Sequence, residues 1–304
     1  MINLIKNKKI PFIISGVLFL VSLILVFTIG LRPGIDFTGG SLMEVSYETN
    51  RPSVQQVKDS LSELSINLGE PVIQPSEESG MIIRVKFINE EEHQQILANL
   101  RNSFETEENK VLEQRIETIG PAISSHLKSR AVYAVIAVVI VIIAYVAYAF
   151  RKVSKPVQSW KYGISAVIAL IHDVTITMGI FVLLGKYINV EVGIPFVVAL
   201  LTILGYSVND TIVVFDRVRE NLIKRSADNF SEMVNLGVNQ TILRSINTSV
   251  TTLVVLFALF LFGGESIKYF ALALIVGIAS GTYSSIFLAS PLLVVWEELT
   301  HRRS

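Results

Sequence analysis

The sequence contains no cysteine and has few charged residues. None of its 304 residues is a cysteine, and only 17% are Asp, Glu, Lys or Arg. The absence of cysteine excludes disulfides, thiol catalysis and metals held by cysteine. The formal net charge is zero at pH 7. This balance hides a segregation of charges along the chain, so the net charge says little about partners.

Long uncharged runs dominate the sequence. Hydrophobic residues make up 51% of the chain, and its mean hydropathy of +0.55 is well above that of soluble domains. The first run, Ile10 to Leu31, exceeds the apolar part of a signal peptide and precedes no small-residue cleavage pattern, so we expect an uncleaved helix. We therefore expect an α-helical polytopic membrane protein with six transmembrane helices. The other five windows are 131–150, 162–185, 192–215, 245–264 and 269–296.

Basic residues lie mainly on one side of the predicted spans. Fourteen Lys and Arg residues fall in the N-terminus, the 151–161 and 216–244 loops and the tail. The two short opposite loops hold only Lys186 and Lys268. By the positive-inside rule, both termini are cytoplasmic and the segment 32–130 is extracytoplasmic.

The segment between the first two spans has the pattern of an α+β domain. Ser53 and Asn89 are each placed to cap a helix, and the two helices alternate with four strand-like stretches. The order βαββαβ is that of a ferredoxin-like split fold. The segment carries no metal-ligand cluster, phosphate-binding loop or nucleophile elbow, so we expect a binding or lever role. The strands are predicted at 41–48, 71–74, 81–88 and 111–119.

The chain therefore divides into the N-terminus and first span (1–31), the α+β domain (32–130) and a five-helix bundle (131–304). The cytoplasmic segment 216–244 in that bundle is too long for a simple turn. Its apolar residues recur at steps of three and four, which predicts an amphipathic helix. That helix either lies on the membrane face or packs against the cytoplasmic ends of the bundle.

Asp210 lies inside the fourth predicted span. The 24-residue window from Val192 to Phe215 has this carboxylate as its single formal charge. It lies six residues inside the charged border, about 9 Å deep at a rise of ~1.5 Å per residue. An ionised aspartate at that depth is costly, which indicates proton or ion handling. A structural aspartate neutralised by Arg217 is the alternative.

Two further polar positions are candidates. Asp173 lies near the middle of the third span and is either a proton-relay group or an aspartate bonded to a neighbouring hydroxyl. His172 beside it points about 100° away on a helix, so we expect no metal pair. Arg244 opens the fifth span, where it is either a topology anchor or a cation with a hydroxyl-lined path toward a buried carboxylate.

The last span carries small residues at helical spacing, for which close helix packing is the default interpretation. The same surface would also let helices slide when a charge changes state. These residues are Gly277, Ser280, Gly281, Ser284 and Ser285.

Several long motifs resemble the SecF family of bacterial Sec export subunits, in the expected order from the first span to the last. They are GIDFTGGSLMEV at 34–45, ETIGP at 117–121, HD at 172–173, GYSVNDTIVVFDRVREN at 205–221, RSINTSVTTL at 244–253, LFGG at 261–264 and GTYSSIFLASP at 281–291.

This resemblance implies an RND-superfamily membrane fold, a SecD partner with a similar six-helix unit, and association with the SecYEG channel in the bacterial inner membrane. It also implies that the proton-motive force helps to draw preproteins outward. We expect no enzymatic activity, no cofactor beyond the proton gradient or a sodium gradient, and no partner other than these proteins, the preprotein and membrane lipid. A nucleic-acid partner is not expected.

The resemblance also assigns residues. The proton-relay aspartate of the family falls on Asp210 and the arginine of the fifth-span motif on Arg244, with Asp173 less firmly supported. The supporting polar and motif positions are Tyr206, Ser207, Asn209, Thr248, Asp36, Gly39 and Gly40.

Two rival functions belong to other classes. An intramembrane aspartyl protease would pair Asp173 with Asp210, because two close carboxylates share a proton, but neither residue has the sequence context of such proteases. A self-contained RND-type exporter of lipids or small molecules is the stronger rival. It would need a second six-span unit, which a homodimer could supply.

Overall fold

A computed structural model describes residues 3–76, 78–151 and 157–301. The chain forms two compact units, one of Met1–Arg32 together with Val132–Ser304 and one of Pro33–Ala131. They are called here the helical unit and the α+β unit. Lys152, Lys155, Arg302 and Arg303, which contribute to the predicted charge bias, lie outside the described residues.

The α+β unit is a four-stranded antiparallel sheet with two helices, which confirms the predicted split fold. The sheet order is β2-β3-β1-β4, so the first strand lies in the middle, between β3 and β4. A short helix α2 (Ile35–Thr38) precedes β1. The other elements are β1 (Gly40–Tyr47), α3 (Val54–Ser62), β2 (Val72–Ser76), β3 (Gly80–Val85), α4 (Glu90–Phe104) and β4 (Val111–Ile119).

Local chemistry fixes the helix starts of this unit. Ser53 and Asn89 both form complete capping boxes. The capping side chain accepts a hydrogen bond from the backbone N–H of the third helical residue, and the side chain of that residue accepts one from the backbone N–H of the cap. One face of the sheet and the inner faces of the helices bury a core that includes Met43, Val57 and Leu100. The predicted caps and the alternation of the strands are thus both present.

The glycine pair of the first motif has a backbone reason. Gly39 and Gly40 have φ angles of +72° and +128°, which L side chains rarely adopt. A Cβ on Gly40 would lie 2.8 Å from the carbonyl oxygen of Val85. The two glycines therefore turn the chain from α2 into the central strand where no side chain fits.

The helical unit contains six helices, within the described residues, that are long and apolar enough to cross a membrane. This confirms the prediction of six spans. The last of them is interrupted by a π-helical segment at Ser285–Ala289. The helices are α1 (Lys9–Thr28), α5 (Pro121–Ala149), α6 (Ser159–Ile188), α7 (Ile194–Lys224), α8 (Phe230–Phe262), α9 (Glu265–Ser284) and, after the π-helical segment, α10 (Ser290–His301).

Residues 216–244 do not form a separate helix on the membrane face. Residues 216–224 continue α7, and residues 230–244 are the first turns of α8. Phe230, Val234 and Val238 are buried and pack in one cluster with Phe215 and Val218. Their apolar stripe is therefore covered by the bundle, which is the second of the two predicted arrangements.

The spans differ strongly in burial. Half or more of the residues in the most apolar windows of α6, α7 and the last span are buried. Fewer than a fifth are buried in α1, α5 and α8. The interior of the helical unit is thus built mainly from α6, α7 and the last span, where the candidate residues Asp173, Ser207 and Asp210 are buried.

Candidate functional site

Two carboxylates are buried inside the helical unit. Asp173 on α6 is 0% exposed, and Asp210 on α7 is 8% exposed. A buried carboxylate is tolerated only where it is hydrogen-bonded, paired or protonated. The groups around each one therefore determine what it can do.

Asp173 is surrounded by hydrogen-bond donors. Its Oδ2 accepts from Ser207 on α7 at 2.6 Å and from Ser284 on the last span at 2.7 Å. Its Oδ1 accepts from Ser280 at 3.1 Å and lies 2.9 Å from Nδ1 of His172. With two donors on each oxygen, this carboxylate joins three helices and can remain buried.

His172 and Asp173 contact each other although adjacent residues point about 100° apart on a helix. The imidazole and the carboxylate each extend far enough from the backbone for the Nδ1 and Oδ1 atoms to meet beside the helix. The other ring nitrogen, Nε2, is buried and has no hydrogen-bond partner among the described residues. His172 thus holds Asp173 from one side while part of its own ring is unsatisfied.

Asp210 has fewer partners. Its Oδ1 accepts a hydrogen bond of 2.5 Å from Ser245 on α8, and its Oδ2 accepts one from Ser285 at the start of the π-helical segment. Both serines are buried. Neutral hydroxyls can donate to the ionised acid or accept from the protonated acid, so this site accommodates both protonation states.

Arg244 lies beside this site without an ion pair to it. Its side chain is exposed, and its charge acts on Asp210 at a distance. Among the described side chains, no nitrogen of Arg244 lies within 4.0 Å of that carboxylate. Arg217, the alternative neutralising cation, instead donates to Gln240 and Glu220. The direct contact with Asp210 is made by Ser245, which follows Arg244 in the chain.

The remaining predicted positions do not all contact the two buried carboxylates. Ser207 donates to Asp173, whereas Tyr206 donates from its hydroxyl to Ser249 at 3.4 Å. Thr248 bonds the carbonyl of Arg244 within its own helix, and Asn209 is exposed. Asp36, Gly39 and Gly40 belong to the α+β unit, where the glycines form the turn into β1.

Sequence reasoning singled out Ser207, and a hydroxyl partner for Asp173 was one of its two alternatives, but it did not assign the serines of the last span as donors. Ser280, Ser284 and Ser285 were expected to allow helix packing, yet all three donate to a buried carboxylate. Ser280 and Ser284 are four residues apart and therefore lie on one helix face. Two isolated carboxylates in apolar spans need hydrogen-bond donors from neighbouring helices. The helical spacing of these serines was the sequence signal that could have identified them as those donors.

The arrangement suits a change of protonation better than a chemical reaction. The described residues contain no group of three or more His, Asp and Glu side chains that could hold a metal. Asp173 and Asp210 have separate sets of donors, and no hydrogen bond joins the two in the described structure. The direct hydrogen bond through which a catalytic carboxylate pair shares a proton is therefore absent among the described residues. The fold and the site define a polytopic membrane protein with two buried, hydroxyl-coordinated carboxylates.

Comparison with known proteins places this class in a family. The sequence model for protein export membrane protein SecD/SecF, C-terminal, matches residues 99–299, and the SecD/SecF GG motif matches residues 24–50. "Protein translocase subunit SecF" of Thermobaculum terrenum is 39% identical over 98% of this chain and 94% of its own length. The protein of the same name from Synechocystis is 38% identical over 98% and 95%.

Solved structures agree. The crystal structure of SecDF, a translocon-associated membrane protein from Thermus thermophilus, covers 98% of this chain with a TM-score of 0.84 and 34% identity. This chain covers 39% of that longer one. A SecDF structure in a super-membrane-facing form gives a TM-score of 0.70. The chain therefore belongs to the SecF branch of the SecD/SecF family of protein export membrane proteins.

Proposed function

We propose that this chain acts with a SecD-like subunit and the SecYEG channel, and that it couples the proton-motive force to late steps of preprotein translocation. The names of its relatives support a role in protein export. The SecDF chain is more than twice as long as this one. A SecD-like subunit would correspond to the remainder of that longer chain.

The observation that carries the proposal is the burial of Asp210 between three helices, where its carboxylate accepts hydrogen bonds, among the described residues, from two serine hydroxyls. A carboxylate neutralised by a fixed ion pair would stay ionised. One that is held by hydroxyls can gain and lose a proton while its hydrogen bonds reverse direction. Asp210 joins α7, α8 and the last span, so its charge acts on the packing of all three.

The proposed cycle alternates two states of this group. When Asp210 is ionised it attracts the positive charge of Arg244. When a proton arrives from the acidic side the attraction ends, and the helices relax. One charge that crosses the whole field yields about 2.3 kcal/mol per 100 mV. That biases a conformational equilibrium but does not unfold a preprotein domain in one step.

The topology follows from the charge bias of the loops. The termini would be cytoplasmic, and the α+β unit would lie outside the bacterial inner membrane, where the preprotein emerges. The exposed apolar faces of α1 and α5 would contact lipid or the partner subunit. Asp173 would be a second relay group on the same path.

A depletion experiment tests the proposal. Cells without the native subunit are rescued with wild type, Asp210→Asn or Asp216→Asn, and unprocessed preprotein is measured at equal membrane levels. Asp216 is an exposed aspartate on the same helix, so its variant controls for the loss of one carboxylate. We expect preprotein to accumulate only with Asp210→Asn.

Co-purification supplies the second test. The proposal requires that a SecD-like subunit is recovered with this chain from membranes. Recovery of a homodimer without such a subunit, together with normal export in the depleted cells, would favour a self-contained exporter. If the rescue of export depends on a sodium gradient and not on the proton gradient, the coupling ion is sodium.

A further inference from the structure

The last span contacts both buried carboxylates through two consecutive serines. Ser284 donates to Oδ2 of Asp173 at 2.7 Å, and Ser285 donates to Oδ2 of Asp210. Both serines are completely buried. Because they are neighbours in one helix, a movement of this turn changes the surroundings of both carboxylates together.

Each of these serines has a second acceptor within reach. The Oγ of Ser284 lies 3.2 Å from the carbonyl oxygen of Gly281, and the Oγ of Ser285 lies 3.0 Å from that of Thr282. A serine hydroxyl carries one proton, so it donates fully to only one of the two acceptors. The structure therefore offers two positions for each hydroxyl proton.

The protonation of the carboxylate decides between these positions. An ionised carboxylate only accepts and forms the stronger, charge-assisted bond, so the hydroxyl donates to it. A protonated carboxyl group has a hydrogen to donate. The serine then accepts that hydrogen and turns its own proton to the backbone carbonyl three residues earlier. No covalent bond changes in the serine.

The backbone is irregular at this place. Ser285–Ala289 form the π-helical segment, and the hydroxyl of Ser290 donates to the carbonyl of Ser285 at 2.8 Å. Single π-helical turns occur frequently at functional sites. Serine hydroxyls that bond to carbonyls of the preceding turn compete with the backbone ladder and bend helices. The two serines thus act on a turn whose hydrogen bonding is already altered.

We propose that Ser285 is a positioning residue that transmits the protonation of Asp210 to the π-helical segment of the last span, while Ser284 beside it holds Asp173. Protonation of Asp210 turns the hydroxyl of Ser285 toward the carbonyl of Thr282 and shifts the helix beyond it. This inference deepens the proposed function and depends on it, because it requires Asp210 to change its protonation state.

Few other titratable groups surround the two serines. The hydroxyl of Tyr283, on the last span itself, donates to the carbonyl of Pro11 on α1 at 3.2 Å. Arg244 keeps its charge at every accessible pH. We assign a pH response at this turn to Asp210, and Asp210→Asn tests that assignment. Within the apolar windows 162–185 and 192–215, the titratable groups are Tyr162, His172 and Asp173 on α6 and Tyr206 and Asp210 on α7. Arg244 immediately precedes the apolar window of α8, whereas α1 carries no titratable group between residues 10 and 28.

The absence of cysteine makes a direct test feasible. Spin labels are attached at Ile223→Cys on α7 and Leu299→Cys on α10, which are 72% and 48% exposed. The distance between the labels is measured in lipid nanodiscs from about pH 5 to pH 9, a range that covers strongly shifted carboxyl groups. Helix movements of about 1–2 Å are expected between the ends of this range.

Four variants of the spin-labelled protein test whether the hydroxyl of Ser285 is needed for the pH-dependent distance change. Ser285→Ala should abolish the pH-dependent distance change, and Ser285→Thr, which keeps a hydroxyl, should restore it. Ser249→Ala is the control, because Ser249 is a buried serine that bonds Thr282 and Tyr206 instead of a carboxylate. It should respond like wild type. Asp210→Asn should give no response.

The outcomes distinguish this inference from the proposed function. If Asp210→Asn loses the response and Ser285→Ala keeps it, the inference about the serines is wrong and the proposed role of Asp210 stands. If Asp210→Asn keeps the response, Asp210 is not the titrating group and both fail. If Ser285→Thr behaves like Ser285→Ala, the side chain acts through packing, which also contradicts the inference.

Discussion

The replacement of Asp173 separates the effect of its hydrogen bonds from that of its volume. In Asp173→Ala, the donors of Ser207, Ser280 and His172 lose their acceptor inside the protein. Ser284 keeps the carbonyl of Gly281. Each buried donor without a partner costs about 1–3 kcal/mol. Ser207 and His172 are buried, whereas Ser280 is half-buried, so we expect a loss of at least ~2 kcal/mol of unfolding free energy from the two buried donors.

Asp173→Asn should cost less, because the amide keeps the volume and one oxygen still accepts two bonds. Its NH2 group faces Ser207 and Ser284, whose oxygens can accept. We therefore expect Asp173→Asn to lose about 1 kcal/mol of unfolding free energy, the typical contribution of one hydrogen bond. Thermal unfolding of the detergent-solubilised chain, followed by loss of the monodisperse peak, measures the order of stability. Asp216→Ala is the exposed control. Equal stability of the alanine and asparagine variants would refute this account of the site.

Two further predictions concern glycine packing and a buried hydroxyl. Gly281→Ala would place a Cβ 2.9 Å from that of Ser207 and should cost about 1–3 kcal/mol, whereas Gly205→Ala meets no atom within 4 Å and should be neutral or stabilising in the same thermal assay. Burial raises the pKa of Tyr47 in the α+β unit to about 12. The neutral Tyr47 side chain therefore contributes its full share of the unfolding free energy below pH 10, and this share is lost as the pH rises toward 12. Alkaline unfolding should detect that loss of stability in wild type and not in Tyr47→Phe. The hydroxyl of Tyr47 has no hydrogen-bond partner among the described residues, so this variant should be at least as stable as wild type at pH 7.

The fold was largely readable from the sequence, because its signals are local. Uncharged runs of about 20 residues predict spans, and Ser53 and Asn89 predict helix starts through chemistry within four residues. The alternation in β1 and β4 follows from a sheet with one covered face. These features do not depend on which elements become neighbours in space.

The ends of the membrane helices were harder to predict from the sequence. Charges at 216–220 mark the border of the apolar window, but α7 continues to Lys224 because Val218 packs in the core. Likewise α8 begins at Phe230, well before its uncharged run. Hydropathy locates the part of a helix that lies in lipid, whereas packing between helices determines where the helix ends.

The carboxylates of the site were predicted and most of their partners were not. A lone aspartate in an apolar window is visible in the sequence. The serine donors come from other helices, 34 to 111 residues away in the chain, and their identity depends on the relative rotation of those helices. The π-helical segment is a property of backbone hydrogen bonding that residue types do not encode in any simple pattern.

The central claim is that protonation of Asp210 couples the proton-motive force to export. It is tested most directly in inverted membrane vesicles that contain this chain with its partner subunit. Completion of translocation is followed after the ATP-driven phase, with the proton gradient intact or collapsed by an ionophore. The account predicts that the gradient accelerates completion with wild type and with Asp216→Asn but has no effect with Asp210→Asn. An equal acceleration with Asp210→Asn would contradict it.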